Sequence, residues 1–135
     1  MLKEFEWSER YRLGVPEIDE QHLELVKRIN NLVIAFNNEK SRQEIHEIVS
    51  FLEAYVVVHF RDEEVLMAKH GYSGLEKHHN IHGEYVEKVE SLVKGMWDQG
   101  VTPPLMVEVN RLLIEWLSKH IDVEDRKFAV LYLGE

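Results

Sequence analysis

Five histidines and a glutamate stand where a helical core calls for Leu or Ile. They are His22, His59, Glu63, His78, His82 and His120. Each falls on a stripe of apolar residues recurring at steps of three and four. A buried imidazole or carboxylate costs several kcal/mol unless it is hydrogen-bonded or metal-bound. One such residue reads most simply as a core histidine with a hydrogen-bond partner. Six of them, drawn from every stripe, point to a shared metal site. His59 and Glu63 are four apart, as are His78 and His82. At about 100° per residue, four steps bring a side chain back to within roughly 40° of the same face, so each pair projects together. Asp125 is a further ligand candidate. It lies five residues past His120, about 140° around a continuous helix, and could face the same centre only if that helix breaks or bulges. The segment IDVED can also be an ordinary solvated acidic turn, and spacing leaves both readings open.

The donor set narrows the metal. Zinc is usually satisfied by four ligands, and calcium and magnesium prefer all-oxygen shells. Imidazole mixed with carboxylate, without thiolate, suits iron, copper, zinc or manganese. Two six-coordinate ions offer about twelve positions. Five imidazoles, two bridging carboxylates and a bridging oxygen from water fill all but one. That last position is where a small diatomic ligand would bind.

Four helices must position these groups. The first stripe runs Ile18, His22, Val26, Ile29, Val33, Phe36. The second runs Ile45, Ile48, Leu52, Tyr55, His59, Glu63, Leu66. The third runs Leu75, His78, His82, Tyr85, Val89, Leu92, Met96, and the fourth Leu105, Val109, Leu112, Trp116, His120. The breaks carry helix-start chemistry. Ser41-Arg42-Gln43-Glu44 reads as a capping box, and Ser73-Gly74-Leu75-Glu76 repeats the pattern. Thr102-Pro103-Pro104 opens the fourth helix with Pro in the first turn. The fold expected is an all-α, up-down-up-down four-helix bundle forming a single domain over 1–135. Residues 1–17 make an irregular N-terminal arm, and 121–135 a short C-terminal tail of one or two helical turns. In that topology the starts of the first and third helices lie level with the ends of the second and fourth. All six seam residues then fall at one end and one depth.

Composition agrees with long elements and few turns, since only seven Gly and three Pro occur in 135 residues. The formal charge of −9 argues against a nucleic-acid partner. No apolar run reaches the roughly 18 residues of a membrane span. The start, MLKEFEWSER, is too acidic for a signal peptide, and with no cysteine there is no disulfide or thiolate site. A cytoplasmic location is expected.

These residues resemble the hemerythrins, most closely the bacterial single-domain hemerythrin-like proteins. The resemblance runs over essentially the whole chain. It rests on Trp7, GVPEIDEQH (14–22), HFRDEEVLM (59–67), HHNIH (78–82) and WLSKHIDVED (116–125). It implies an oxo- or hydroxo-bridged non-haem di-iron centre that binds dioxygen reversibly, as a carrier or store and not an enzyme. It further implies that His78, His82 and His120 ligate one iron and His22 and His59 the other. Glu63 and Asp125 would bridge the two. An apolar oxygen pocket would be lined by Leu25, Phe60, Trp116, Leu117 and Ile121. An oxygen-consuming enzyme or membrane complex is the implied recipient.

Other uses of the same centre are a dioxygen or redox sensor and a detoxifying oxidase or peroxidase. A ferritin-like oxidase fits less well, because it needs Glu-x-x-His on two helices. Here the one such motif, Glu76–His79, has its His off the seam. A zinc peptidase is weaker still, since His79 stands where H-E-x-x-H needs its Glu. His79 is expected at the surface or just outside the ligands. His46 and His70, also off the seams, are expected to face solvent.

Overall fold

The computed structural model describes residues 2–134. Four long helices form the bundle: α1 (Pro16–Asn37), α2 (Arg42–Lys69), α3 (Leu75–Gln99) and α4 (Pro103–Lys119). A six-residue π-helical turn, His120–Asp125, follows α4 directly, and α5 (Arg126–Tyr132) closes the chain. No strand occurs among the described residues.

Local chemistry accounts for most boundaries. The Ser41 hydroxyl accepts the Glu44 N–H at 3.1 Å and donates to the Glu44 carboxylate at 3.2 Å, so the cap before α2 forms. Thr102 accepts the Leu105 N–H at 3.4 Å, and Pro103 opens α4 where no N–H is needed. The cap expected at Ser73 does not form. Gly74 precedes α3, with no side chain capping that helix. The Tyr72 ring lies across this corner, and a Cβ on Gly74 would come within 2.8 Å of it. The turn is therefore shaped by Gly74 yielding to an aromatic ring, not by a hydroxyl.

The seams bury a continuous core that includes Leu25, Ile29, Leu32, Leu52, Val56, Met96, Met106 and Leu113. Each such side chain contributes roughly 1.5–3 kcal/mol on leaving water. The N-terminal arm is extended apart from a 3₁₀ turn at Glu9–Tyr11. Two asparagines one heptad apart on α1 hold it. Asn30 exchanges hydrogen bonds with the Phe5 backbone at 2.7 and 3.1 Å, and Asn37 with Leu2 at 2.9 Å both ways. Asp19 accepts the N–H groups of Leu13 and Gly14 at 2.9 and 3.0 Å, fixing the entry to α1. On the tail, Phe128 is fully buried and meets Tyr72 edge-on at 5.3 Å.

The π turn decides what the end of α4 can do. Residues five apart diverge on an α-helix but return to nearly one side when the winding widens to i→i+5. The α4 frame thus breaks where Asp125 would otherwise point away. His120 and Asp125 both end up buried.

Candidate metal centre

Five imidazoles and two carboxylates meet at one end of the bundle. His22 comes from α1, His59 and Glu63 from α2, His78 and His82 from α3, and His120 and Asp125 from the π turn. All seven are buried, and four helical segments contribute because each seam places its ligand in the same layer.

The carboxylates lie between the rings. Glu63 Oε1 is 2.6 Å from His78 Nε2 and 3.2 Å from Nε2 of both His82 and His120. Its Oε2 is 3.2 Å from His59 Nε2 and 3.8 Å from His22 Nε2. Asp125 Oδ2 is 2.8 Å from His22 Nε2 and 3.0 Å from His120 Nε2, while Oδ1 is 3.0 Å from His78 Nε2. The donors divide into two overlapping groups, each with atoms within 4.8 Å of one another. One is His22, His59, Glu63, His120 and Asp125; the other is Glu63, His78, His82 and His120. His22 and His59 thus sit apart from His78 and His82. Glu63 and His120 belong to both groups, and Asp125 reaches the second through His78.

The cluster is electrostatically tight. Burial alone would raise the Glu63 pKa; the imidazoles of His120 and His59 outweigh it and hold the carboxyl well below its usual range. Burial and Glu63 raise Asp125, but His120 and His22 leave it lowered on balance. Burial lowers the His22 pKa, because its partners do not repay the desolvation. For His78 and His120 burial also acts downward, but the two carboxylates prevail and push them up to about 9 and about 10. Even so, Nε2 of His22, His59, His82 and His120, Oε2 of Glu63 and both Asp125 oxygens lack well-formed hydrogen bonds. Buried polar atoms are nearly always satisfied, so a group of orphans facing one centre fits a bound cation.

Two residues that sequence reasoning missed orient the rings. His59 donates through Nδ1 to Gln21 Oε1 at 2.7 Å, and His82 through Nδ1 to Glu64 Oε2 at 2.8 Å. Each bond orients its ring so that Nε2 faces the cluster. Gln21 and Glu64 directly flank His22 and Glu63 in sequence, and that adjacency on a neighbouring helix was the available clue. Glu64 also pairs with His79, whose side chain is 68% exposed.

Two of the five residues expected to line a pocket stack on ligand rings. Phe60 stacks on His82 at 3.8 Å, and Trp116 on His120 at 4.8 Å. Leu25, Leu117 and Ile121 are fully buried and Trp116 half-buried. Tyr85, not foreseen at the site, stacks on the far face of this group against Trp116 at 3.6 Å. His70 is exposed, as expected. His46 is not: it is only 6% exposed, with its ring 3.9 Å from that of Trp97. His46 and Trp97 each lie one residue off a seam, at the start of α2 and the end of α3, and Trp97, itself 55% exposed, packs over His46.

The comparisons with known proteins agree with this geometry. The family model of the Hemerythrin HHE cation binding domain matches residues 13–132. A bacteriohemerythrin of Clostridium acetobutylicum is 30% identical over 129 residues, covering 92% of this chain and 98% of that protein. A myohemerythrin of Riftia pachyptila is 30% identical over 122 residues, covering 90% and 88%. A crystal structure of a hemerythrin mutant superposes with a TM-score of 0.81 at 25% identity, covering 94% of this chain and 95% of that one. A four-helix bundle, a buried His/Glu/Asp cluster that could hold metal and these matches together place the chain in the hemerythrin family.

Proposed function

We propose that this chain reversibly binds dioxygen at a non-haem di-iron centre, as a carrier or store and not an enzyme. His78, His82 and His120 would hold one iron, His22 and His59 the other, with Glu63 and Asp125 bridging. The observation that carries this reading is the buried group of seven donors in two overlapping sets, each with two imidazoles of its own and with Glu63 and His120 common to both. When bound, two ferrous ions with a bridging oxygen supply the electrons and the open coordination position that dioxygen needs.

The chain's own residues do the rest. Gln21 and Glu64 fix the tautomers of His59 and His82. Phe60 and Trp116 lie flat on ligand rings and keep water off their faces. Leu25, Leu117 and Ile121 wall the site with side chains that can neither donate a proton nor compete for metal. No helix among the described residues is long and apolar enough to cross a membrane. We place the protein in the cytoplasm, delivering dioxygen to an oxygen-consuming enzyme or membrane complex.

The test is an iron count with a spectrum. Anaerobic loading should give about two irons per chain, as seven ligands are too many for one ion. The visible absorption should then cycle as dioxygen is added and removed. One ion per chain would overturn the binuclear reading. A single irreversible change with turnover of a reductant would replace the carrier by an oxidase.

Leu117 tests the pocket. It lies three residues before His120, one turn back on nearly the same face, and is fully buried. Leu117→Ala should cost about 2–4 kcal/mol of stability. The larger effect should be faster conversion of iron-loaded protein to an oxidised form that no longer binds dioxygen, at unchanged iron content. Equal lifetimes in variant and parent would make Leu117 a packing residue only.

A further inference from the structure

The outer face of α2 carries a second apolar stripe that the core does not use. Phe51, Ala54, Val58, Arg61, Val65 and Ala68 recur at steps of three and four over eighteen residues, and all six are exposed. Phe51 is 66%, Val58 38% and Val65 62% exposed. This is the spacing of a coiled-coil seam, with Phe51, Val58 and Val65 at heptad intervals. The stripe contains no carboxylate, although the chain carries a net charge of −9. Its one charge is the cation of Arg61.

The stripe is also complementary to itself. Laid antiparallel against a copy, with a two-fold axis between residues 59 and 60, every layer pairs a larger side chain with a different one. Phe51 meets the partner's Ala68, Val65 meets the partner's Ala54, and Val58 meets the partner's Arg61. The Phe51–Ala68 and Val65–Ala54 layers set a larger side chain against an alanine, which lets the two helices approach closely there. Arg61 then comes within one turn of the partner's Asp62, so the stripe's cation finds an anion. The parallel alternative would stack Phe51 on Phe51 and Arg61 on Arg61.

We propose that α2 is a homodimer interface, the second copy lying antiparallel along Phe51–Ala68. The seam is about 26 Å long and each copy would bury roughly 500 Å², at the low end of specific interfaces. An interface of that size makes a weak, reversible dimer. Val57, Arg61, Glu64, Val65 and Ala68 also border the α2–α3 groove that reaches His82. A second copy would cover the surface nearest that ring.

Sedimentation equilibrium of the iron-loaded protein tests this. The average mass should rise from one chain toward two between about 10 µM and 1 mM. Val65→Glu, at an exposed site, should keep the helical circular dichroism and iron content while weakening the dimer at least ten-fold. The orientation is tested by crosslinking, with no native cysteine to interfere. The double variant Ala54→Cys, Val65→Cys should form a disulfide-linked dimer under mild oxidation. Ala54→Cys alone should not, because its two copies would lie about 16 Å apart, beyond disulfide reach. A single-chain mass at 1 mM, or a wild-type mass curve for Val65→Glu, would overturn the interface. Linkage by Ala54→Cys alone as readily as by the double variant would overturn the antiparallel register.

Discussion

Glu63→Ala should strip the protein of metal: iron per chain should fall from about two to one or none under loading conditions that saturate the parent. Glu63 sends one oxygen toward each donor group, as Asp125 does, but Glu63 alone lies within reach of all five imidazoles. Oε1 lies toward His78, His82 and His120, and Oε2 toward His59 and His22. No neighbouring side chain can replace it, since Glu64, next in sequence, is turned away to His79 and His82. The metal-free protein should suffer as well. Glu63 is the anion around which buried imidazoles gather, and removing one member of a buried charge cluster costs about 3–5 kcal/mol. Glu63→Gln keeps the shape and restores packing but not the bridge, so it should recover stability while still losing iron. The controls are His70→Ala and His46→Ala. Both should keep full iron, though His46→Ala should lose some stability because His46 packs on Trp97. Elemental analysis with thermal unfolding distinguishes the four variants. Full iron in Glu63→Ala would remove Glu63 from the site.

The parts of this site that were legible in the sequence are those fixed by helical periodicity. His22, His59, Glu63, His78, His82 and His120 follow from their stripes, because a residue on a seam must point inward whatever its neighbours do. Asp125 is different. Its direction depends on a change of winding after His120, and nothing in HIDVED states that the hydrogen-bond ladder widens there. The family resemblance supplied the expectation, and the π turn gives the physical reason. The failures share one cause, a side chain contacting another element in a way that spacing cannot report. Ser73 looks like a cap, but the ring of Tyr72 sets the corner. His46 looks exposed because it is off the seam, but Trp97 from another helix covers it. Gln21 and Glu64 are ordinary surface types until α1 meets α2 and α2 meets α3.

Removing the metal should reverse the protein's response to pH. In the metal-free protein the carboxylates raise His78 to about 9 and His120 to about 10, from an unfolded value of 6.5. A raised histidine contributes stability that is fully present below 6.5 and is lost as pH climbs through 9 and 10. Glu63 and Asp125 are lowered, so their contribution is present above their unfolded values near 4 and is lost in acid. His22 is lowered and works the other way below 6.5, but it is one group against two. Metal-free protein should therefore be most stable between about pH 4.5 and 6.5 and weaken by a few kcal/mol toward pH 10. Iron-loaded protein should show the opposite trend, because an imidazole must be neutral to ligate and protons compete with the metal. Loading at pH 7.5 must displace the protons on His78 and His120, so about two protons should appear in solution per chain filled. Thermal unfolding of both forms at pH 6 and pH 9.5, with an indicator dye during anaerobic loading, measures all three effects. Parallel pH trends for the two forms, with no proton release, would mean that His78 and His120 are neutral before metal arrives. The carboxylates would then be held by something other than these two rings.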